Sequence, residues 1–319
     1  MLIGFTNLVY HKFYKNASLR QKNFYKWNIF WKLLEKIFLV LYNVGMMKNW
    51  LTNEWVVLSG ASSGIGRTLA KILIKKYGAS VYGIGRSEEK MLSLKAELGE
   101  NAERFAYALF DVGCKQAWQE FASFLALQGI CPVLTINNAG AFPAFGLVED
   151  LGSEVVEKTV QTNFFSAVYS AEVMLPYMQG GGMVNICSSS ALCPVVGTAA
   201  YSASKSAVKG FTEALALEYR GRAYVGIFYP GTTATELFRG DEQTKDSILQ
   251  KVAMSPEKMA RKIARKIRKK RRRAVIGADA HAMNLTAKFF PVRGLALIAW
   301  VMKKSGSKVF KNVFKSNKK

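Results

Sequence analysis

Histidine is almost missing from this chain: His11 and His281 are the only two. A histidine-rich metal site or a catalytic triad with a histidine base is therefore not expected, and no metal is assigned. Cysteine is scarce too, and Cys114, Cys131, Cys187 and Cys193 form neither a CxxC pair nor a dense framework. Disulfides are not expected to staple the fold, and a reducing, cytoplasmic compartment is the simplest setting. Only 7 of the 319 residues are proline, while 50% are hydrophobic and 21% charged, which argues against a disordered or collagen-like chain. Long apolar runs are lacking as well. The richest stretch, NFYKWNIFWKLLEKIFLVLYNVGMM (23–47), is broken by Lys32, Glu35 and Lys36, short of the ~20 apolar residues of a spanning helix. It also lies too far from the start, with no small-residue cleavage site, for a secretory signal.

Acidic residues are short at both ends. Residues 1–47 hold 7 Lys/Arg against one acid, and residues 251–319 hold 21 against two, whereas the stretch between them is nearly neutral. The middle is expected to hold the chemistry and the ends to set where it happens.

Short apolar runs alternate with amphipathic ones from Trp55 to Ile276. The strand-like runs are 55–59, 80–84, 104–111, 133–137, 183–187, 224–229 and 274–276. Several are apolar on both faces, as in strands covered by helices on each side. The predicted fold class is α/β: a single doubly wound parallel sheet of about seven strands with helices on both faces. Residues 1–52 form a basic, aromatic-rich extension, read either as a membrane-surface segment or as a non-native start. The catalytic domain is expected over 53–280 and a basic amphipathic tail over 281–319.

The segment Ser59-Gly60-Ala61-Ser62-Ser63-Gly64-Ile65-Gly66 follows a strand and opens a helix. Gly60 permits the turn, Gly64 lets backbone N–H groups approach a pyrophosphate, and Gly66 lets helix and sheet pack closely. A glycine-rich turn alone is weak evidence. Arg86 ends the second strand with no Asp or Glu before it in VYGIGR, so it suits a ribose 2′-phosphate through its planar fork and favours NADP(H). Tyr201 and Lys205 are four apart at a helix start and share a face. A nearby ammonium, together with a nicotinamide that is positively charged when oxidised, is expected to lower the tyrosine pKa toward a usable acid–base range. On chemistry alone such a pair is equally an ordinary helix surface. Ser188 follows the strand MVNIC, at the sheet edge where α/β folds bind ligands.

Together GASSGIG (60–66), NNAG (137–140), Asn163 of TNFFSA, Ser188 ahead of YSASK (201–205) and PG (230–231) resemble the short-chain dehydrogenase/reductase family over residues 53–280. The basic, membrane-seeking ends add a resemblance to membrane-associated reductases of lipid or steroid ketones, although the family also reduces sugars, quinones and small ketones. The resemblance implies hydride transfer with Tyr201 as proton donor, Ser188 orienting the carbonyl oxygen and Lys205 holding the nicotinamide ribose. It implies that Asn163 holds a helix backbone and a water that relays protons to Lys205. Gly60, Ser62, Ser63, Gly64, Ile65, Gly66 and Arg86 would meet the cofactor, with Asp111 and Val112 on the adenine side. Asn138, Ala139 and Gly140 would form its floor, and Pro230, Gly231, Thr233 and Thr235 would meet the carboxamide and phosphates. Ser59 and Ser63 depart from common family residues, so Arg86, aided by Arg67, is left to supply the charge. The region 235–255 is expected to be a substrate lid, and relatives are commonly homodimers or homotetramers.

Pro256 begins a basic stretch with Met259, Ile263 and Ile267 on one face, and LALIAWVM (295–302) is flanked by lysines. These ends suit an anionic, cytoplasmic membrane face. The competing readings are a nucleic-acid-binding protein and a catalytically silent NADP-binding scaffold. Against the first, the basic runs carry no interleaved aromatics and no groove-reading module, so nucleic acid is not expected as a partner.

Overall fold

The computed structural model describes residues 49–178, 180–235, 253–307, 310 and 313–314. The N-terminal extension through residue 48 and residues 236–252 of the expected lid lie outside the described residues. A compact unit runs from Trp50 onward.

Its centre is a seven-stranded sheet. In chain order the strands are β1 (Trp55–Ser59), β2 (Ser80–Gly85), β3 (Phe105–Leu109), β4 (Leu134–Asn137), β5 (Gly182–Ile186), β6 (Tyr224–Pro230) and β7 (Arg273–Ile276). They lie side by side in the order β3-β2-β1-β4-β5-β6-β7, and every neighbouring pair is parallel. The doubly wound expectation holds, with strand ends within two residues of those read from the apolar runs. Every residue of β4, β5 and β6 is buried, because a parallel sheet needs helices over both faces.

The main helices are α1 (Gly64–Tyr77), α2 (Glu88–Leu98), α3 (Lys115–Leu127), α4 (Val148–Leu151), α5 (Ser153–Val160), α6 (Ser166–Met174), α7 (Ala199–Glu218), α8 (Pro256–Arg268), α9 (Ala278–Phe289) and α10 (Arg293–Lys304). On one face α1 packs against α8. The periodicity of α8 explains this contact: Met259, Ala260, Ile263, Ala264 and Ile267 form one stripe and are wholly buried. Ser255 caps the helix by accepting from the Lys258 amide, and Pro256 supplies a preset φ at its first turn. The basic side chains take the opposite side. On the other face Trp118, Phe121 and Leu125 of α3 pack with Tyr82 and Ile84.

Two residues ahead of β1 belong to this core. Leu51 is fully buried, and the Trp50 indole donates to the Arg268 carbonyl at 3.2 Å. The compact unit thus starts slightly before the boundary read at residue 53.

The strand order reverses between β1 and β4. Chains leaving these two strands run in opposite directions and leave a crevice at the carboxyl edge of the sheet. The glycine turn, the NNAG segment after β4, Ser188 after β5 and the PG pair at the end of β6 all lie at that edge.

Candidate active site

The first wall of the crevice is the turn between β1 and α1. Gly60 has φ +67°, and a Cβ at Gly66 would overlap the Gly60 carbonyl oxygen. Only glycine lets α1 begin this close to the strand. The Ser59 hydroxyl accepts from the amides of Asn138 and Ala139, each at 3.0 Å, and the Asn138 amide group donates to the carbonyls of Ser59 and Gly60. The two motifs flanking the crevice are thereby tied together. Ser63 precedes α1 with an extended backbone, and its side chain makes no cap hydrogen bond.

The far wall is built by β5, the turn after it and the start of α7. Ser188 caps a 3₁₀ turn (Ser189–Ala191), its Oγ accepting from the Ser190 amide at 3.1 Å. Tyr201 and Lys205, one turn apart on α7, are both buried, with the Lys205 Nζ 5.9 Å from the Tyr201 ring centroid. Lys205 donates to the Ile186 carbonyl at 3.3 Å. Asn163 sits in a π-helical turn (Gln161–Phe165) between α5 and α6. Its side chain accepts from the Ala141 amide at 2.6 Å and donates to the Ala141 carbonyl and the Ser204 hydroxyl, both at 2.9 Å. The wider π turn lets one amide group clasp the loop after β4 and the catalytic helix at once. Its partners are a loop peptide and a helix hydroxyl, where a helix backbone had been expected.

Without the nicotinamide charge, the balance at Tyr201 runs toward the neutral phenol. Burial pushes the Tyr201 phenol up to about 12, with the Cys187 sulfur adding to the rise and a hydrogen bond from Ser188 pulling the other way. Burial also lowers the Lys205 pKa. In the chain alone desolvation outweighs the ammonium.

These groups line a cavity of about 330 Å³ together with Gly60, Ser63, Gly64, Ile65, Asn138, Ala139, Gly140, Pro230, Gly231, Thr233 and Thr235. Ser62 and Gly66 are not among the lining residues; the Ser62 carbonyl accepts from Arg67 at 3.4 Å. Arg86, Asp111 and Val112 lie off this cavity, at the ends of β2 and β3. Arg86 is exposed, and Asp111 accepts from the Gly113 amide at 2.9 Å. The Val112 side chain is in the core, and its carbonyl accepts from the Trp118 indole at 2.9 Å. Arg67 is already committed: it pairs with Glu97 at 2.7 Å and donates to the Lys90 carbonyl at 2.7 Å. Lys71 and Arg67 hold the Glu97 carboxyl down to about 2, whereas Arg86 is exposed at the end of β2.

A dinucleotide fits this crevice. The glycine cradle brings backbone close without a Cβ, the amino end of α1 faces it, and the sheet edge continues to Arg86.

Several contributors escaped the sequence reading. The Asp279 carboxylate accepts from the Thr232 amide at 2.6 Å and fills the space beside Gly231 and Gly277. Beneath the site, Ser170 donates to Asn137, Asn137 to Asn185 and Asn185 to Thr212. This buried chain links α6, β4, β5 and α7, where an unpaired amide would be costly. A polar Asn inside the apolar run MVNIC was the available signal. Most unexpected, Met283, Ile298, Met302 and Phe310, all from the stretch read as a tail, line the cavity with Phe142 and Phe145.

Comparison with known proteins agrees with this architecture. Residues 54–246 match the short chain dehydrogenase family. The 3-ketodihydrosphingosine reductase of Bos taurus is 28% identical over 259 residues, covering 77% of this chain and 78% of that protein. The very-long-chain 3-oxoacyl-CoA reductase of Homo sapiens is 31% identical over 208 residues, covering 60% and 64%. A short chain dehydrogenase structure from Escherichia coli CFT073, complexed with NADPH, superposes with a TM-score of 0.64 at 25% identity, over 72% of this chain and 98% of that one. With its glycine turn, its Ser–Tyr–Lys wall and this match over more than half its length, the chain belongs to the short-chain dehydrogenase family of oxidoreductases.

Proposed function

We propose that this protein is an NADPH-dependent reductase of a ketone on a hydrophobic, lipid-like substrate, or the oxidant of the matching secondary alcohol. The observation that carries the reading is the convergence of Ser188, Tyr201 and Lys205 on a crevice with the glycine turn on one side and an apolar wall on the other. The relatives named for 3-ketodihydrosphingosine and very-long-chain 3-oxoacyl-CoA reduction support the lipid character.

NADPH, when bound, supplies the hydride. The chain does the rest. Tyr201 donates its phenolic proton to the carbonyl oxygen, and its raised pKa keeps that proton in place at neutral pH. Ser188 donates a hydrogen bond to the same oxygen. Lys205 holds the nicotinamide ribose. Asn163 keeps the loop at Ala141 in register with α7, and so fixes Gly140 beside the Lys205 ammonium. Arg86 meets the 2′-phosphate, and Asp279 holds the Pro230–Thr235 loop against the cofactor.

Attachment to an anionic membrane face belongs to the same reading. The apolar stripe of α8 is spent on the core, so only its basic side faces outward, and α9 and α10 carry the remaining apolar surface. Among the described residues no helix is long and apolar enough to cross a membrane.

The test is a screen of NADPH oxidation across ketones of increasing chain length, with Tyr201→Phe beside the native protein. The variant should lose turnover by about 10²–10⁴-fold while NADPH fluorescence on binding is retained. Turnover within tenfold of native would remove Tyr201 from the proton-donor role.

A further inference from the structure

The helical pair α9–α10 has two apolar faces. The inner one carries Met283, Ile298 and Met302 into the cavity that holds Tyr201. The outer one carries Leu285 and Phe289 from α9, then Leu297, Trp300 and Val301 from α10, all exposed. Positions 297, 300, 301 and 304 are spaced i, i+3, i+4, i+7, so the last three apolar residues and Lys304 share one side of α10. Phe290 and Val292 in the connection extend this surface, at 60% and 78% exposure. The two helices cross closely because position 294 is glycine: a Cβ there would strike the Thr286 side chain. A thin pair of helices thus separates the cavity from the surroundings.

An apolar surface of this size is not left bare in water without a partner. Its charge selects which one. From residue 280 to 319 the sequence has no Asp or Glu, while Lys288, Arg293, Lys303 and Lys304 border the apolar side chains. A second copy would bring the same cations against themselves. An anionic lipid surface offers the opposite charge around a hydrocarbon interior.

We infer that the α9–α10 hairpin is the port through which a bilayer-held ketone reaches Tyr201, its outer face seated in an anionic lipid surface and its inner face guiding the chain of the substrate. The inference rests on the proposed ketone reduction and adds the route and the residues that read the lipid. A ketone drawn from the bilayer passes from outer to inner side chains without crossing water. Met302 and Ile298 are then the residues that sense chain length.

The experiment uses the full chain, phosphatidylcholine vesicles with or without phosphatidylserine, and two ketones: a short water-soluble one and a long-chain one carried in the vesicles. Leu297→Glu combined with Trp300→Glu charges the outer face at positions that do not line the cavity. This variant should sediment with anionic vesicles at least tenfold more weakly. Its kcat/KM on the vesicle-held ketone should fall in parallel, with the short ketone reduced as by the native protein. Met302→Trp should do the converse, keeping vesicle binding while losing the long ketone. A charged variant that binds vesicles or reduces the vesicle-held ketone as well as the native protein overturns the port and leaves the reductase reading intact. So does a native dimer that the charged variant dissociates, with no vesicle binding by either. If the native protein reduces neither ketone, the reductase reading itself fails and the port falls with it.

Discussion

The Lys205 ammonium lies 5.9 Å from the centre of the Tyr201 ring, and the two side chains are buried together with no carboxylate paired to the lysine among the described residues. Each is therefore pushed toward its neutral form: the phenol keeps its proton and the ammonium holds its own less tightly. In the cofactor-free chain the phenol is therefore the protonated partner at neutral pH.

This has a spectroscopic consequence. In the cofactor-free protein, the phenolate absorbance of native minus Tyr201→Phe should stay flat to about pH 10 and rise only near the raised pKa of about 12. Addition of NADP⁺ should move that rise to lower pH, since a positive ring beside the phenol favours its ionised form. Ketone reduction should vary little between about pH 6 and 8, and alcohol oxidation should climb with pH. A phenolate signal below about pH 9 without cofactor would contradict the buried, protonated tyrosine.

Cofactor choice should turn on a single side chain. Arg67 is held by Glu97 and the Lys90 carbonyl, whereas Arg86 is exposed at the end of β2. Arg86→Asp should lower kcat/KM with NADPH by tenfold or more and raise it with NADH, because a carboxylate repels a 2′-phosphate and accepts from a 2′-hydroxyl. A native preference for NADH would show that Arg86 does not read the phosphate.

The amino-terminal boundary is open to truncation. Removing residues 1–46 leaves Trp50 and Leu51 in place and should yield a folded, NADPH-binding protein. Removing residues 1–51 uncovers the site of a fully buried leucine, at a cost of about 2–5 kcal/mol, and should lower the melting temperature markedly. Equal thermal stability of the two truncations would contradict the core role of Leu51.

Asp279 should act on the cofactor from a distance. Its carboxylate accepts from the Thr232 amide at 2.6 Å. Asp279→Ala leaves that amide unpaired, worth about 1–3 kcal/mol, so NADPH affinity should weaken by about five- to a hundredfold. Asp279→Asn retains an acceptor and should recover much of the loss. An unchanged dissociation constant in the alanine variant would reduce Asp279 to a residue of local packing.

The parallel sheet, its strand limits and the glycine turn could be read from the chain because they follow from local rules. Runs apolar on both faces demand helices on both sides, and GASSGIG carries its turn in its own glycines. The shared face of Tyr201 and Lys205 could be read because one helical turn joins them, although their role came only from the family resemblance, and the buried stripe of α8 could be read from its spacing.

Other features depended on partners far apart in sequence. Asn163 meets Ala141 and Ser204, and Asp279 meets Thr232, only after the sheet has brought their loops to one edge. The raised Tyr201 pKa of the chain alone was not legible either, because burial is a property of everything packed around a side chain, not of its neighbour four residues on. Residues 283–302 looked like a tail since their apolar positions fit a membrane surface. That they also wall the cavity was decided by the close crossing at Gly294 and the position of β7 beside β6. Local pattern therefore determined the elements and the candidate residues along them, whereas tertiary packing decided their burial, their supports and the shape of the pocket they face.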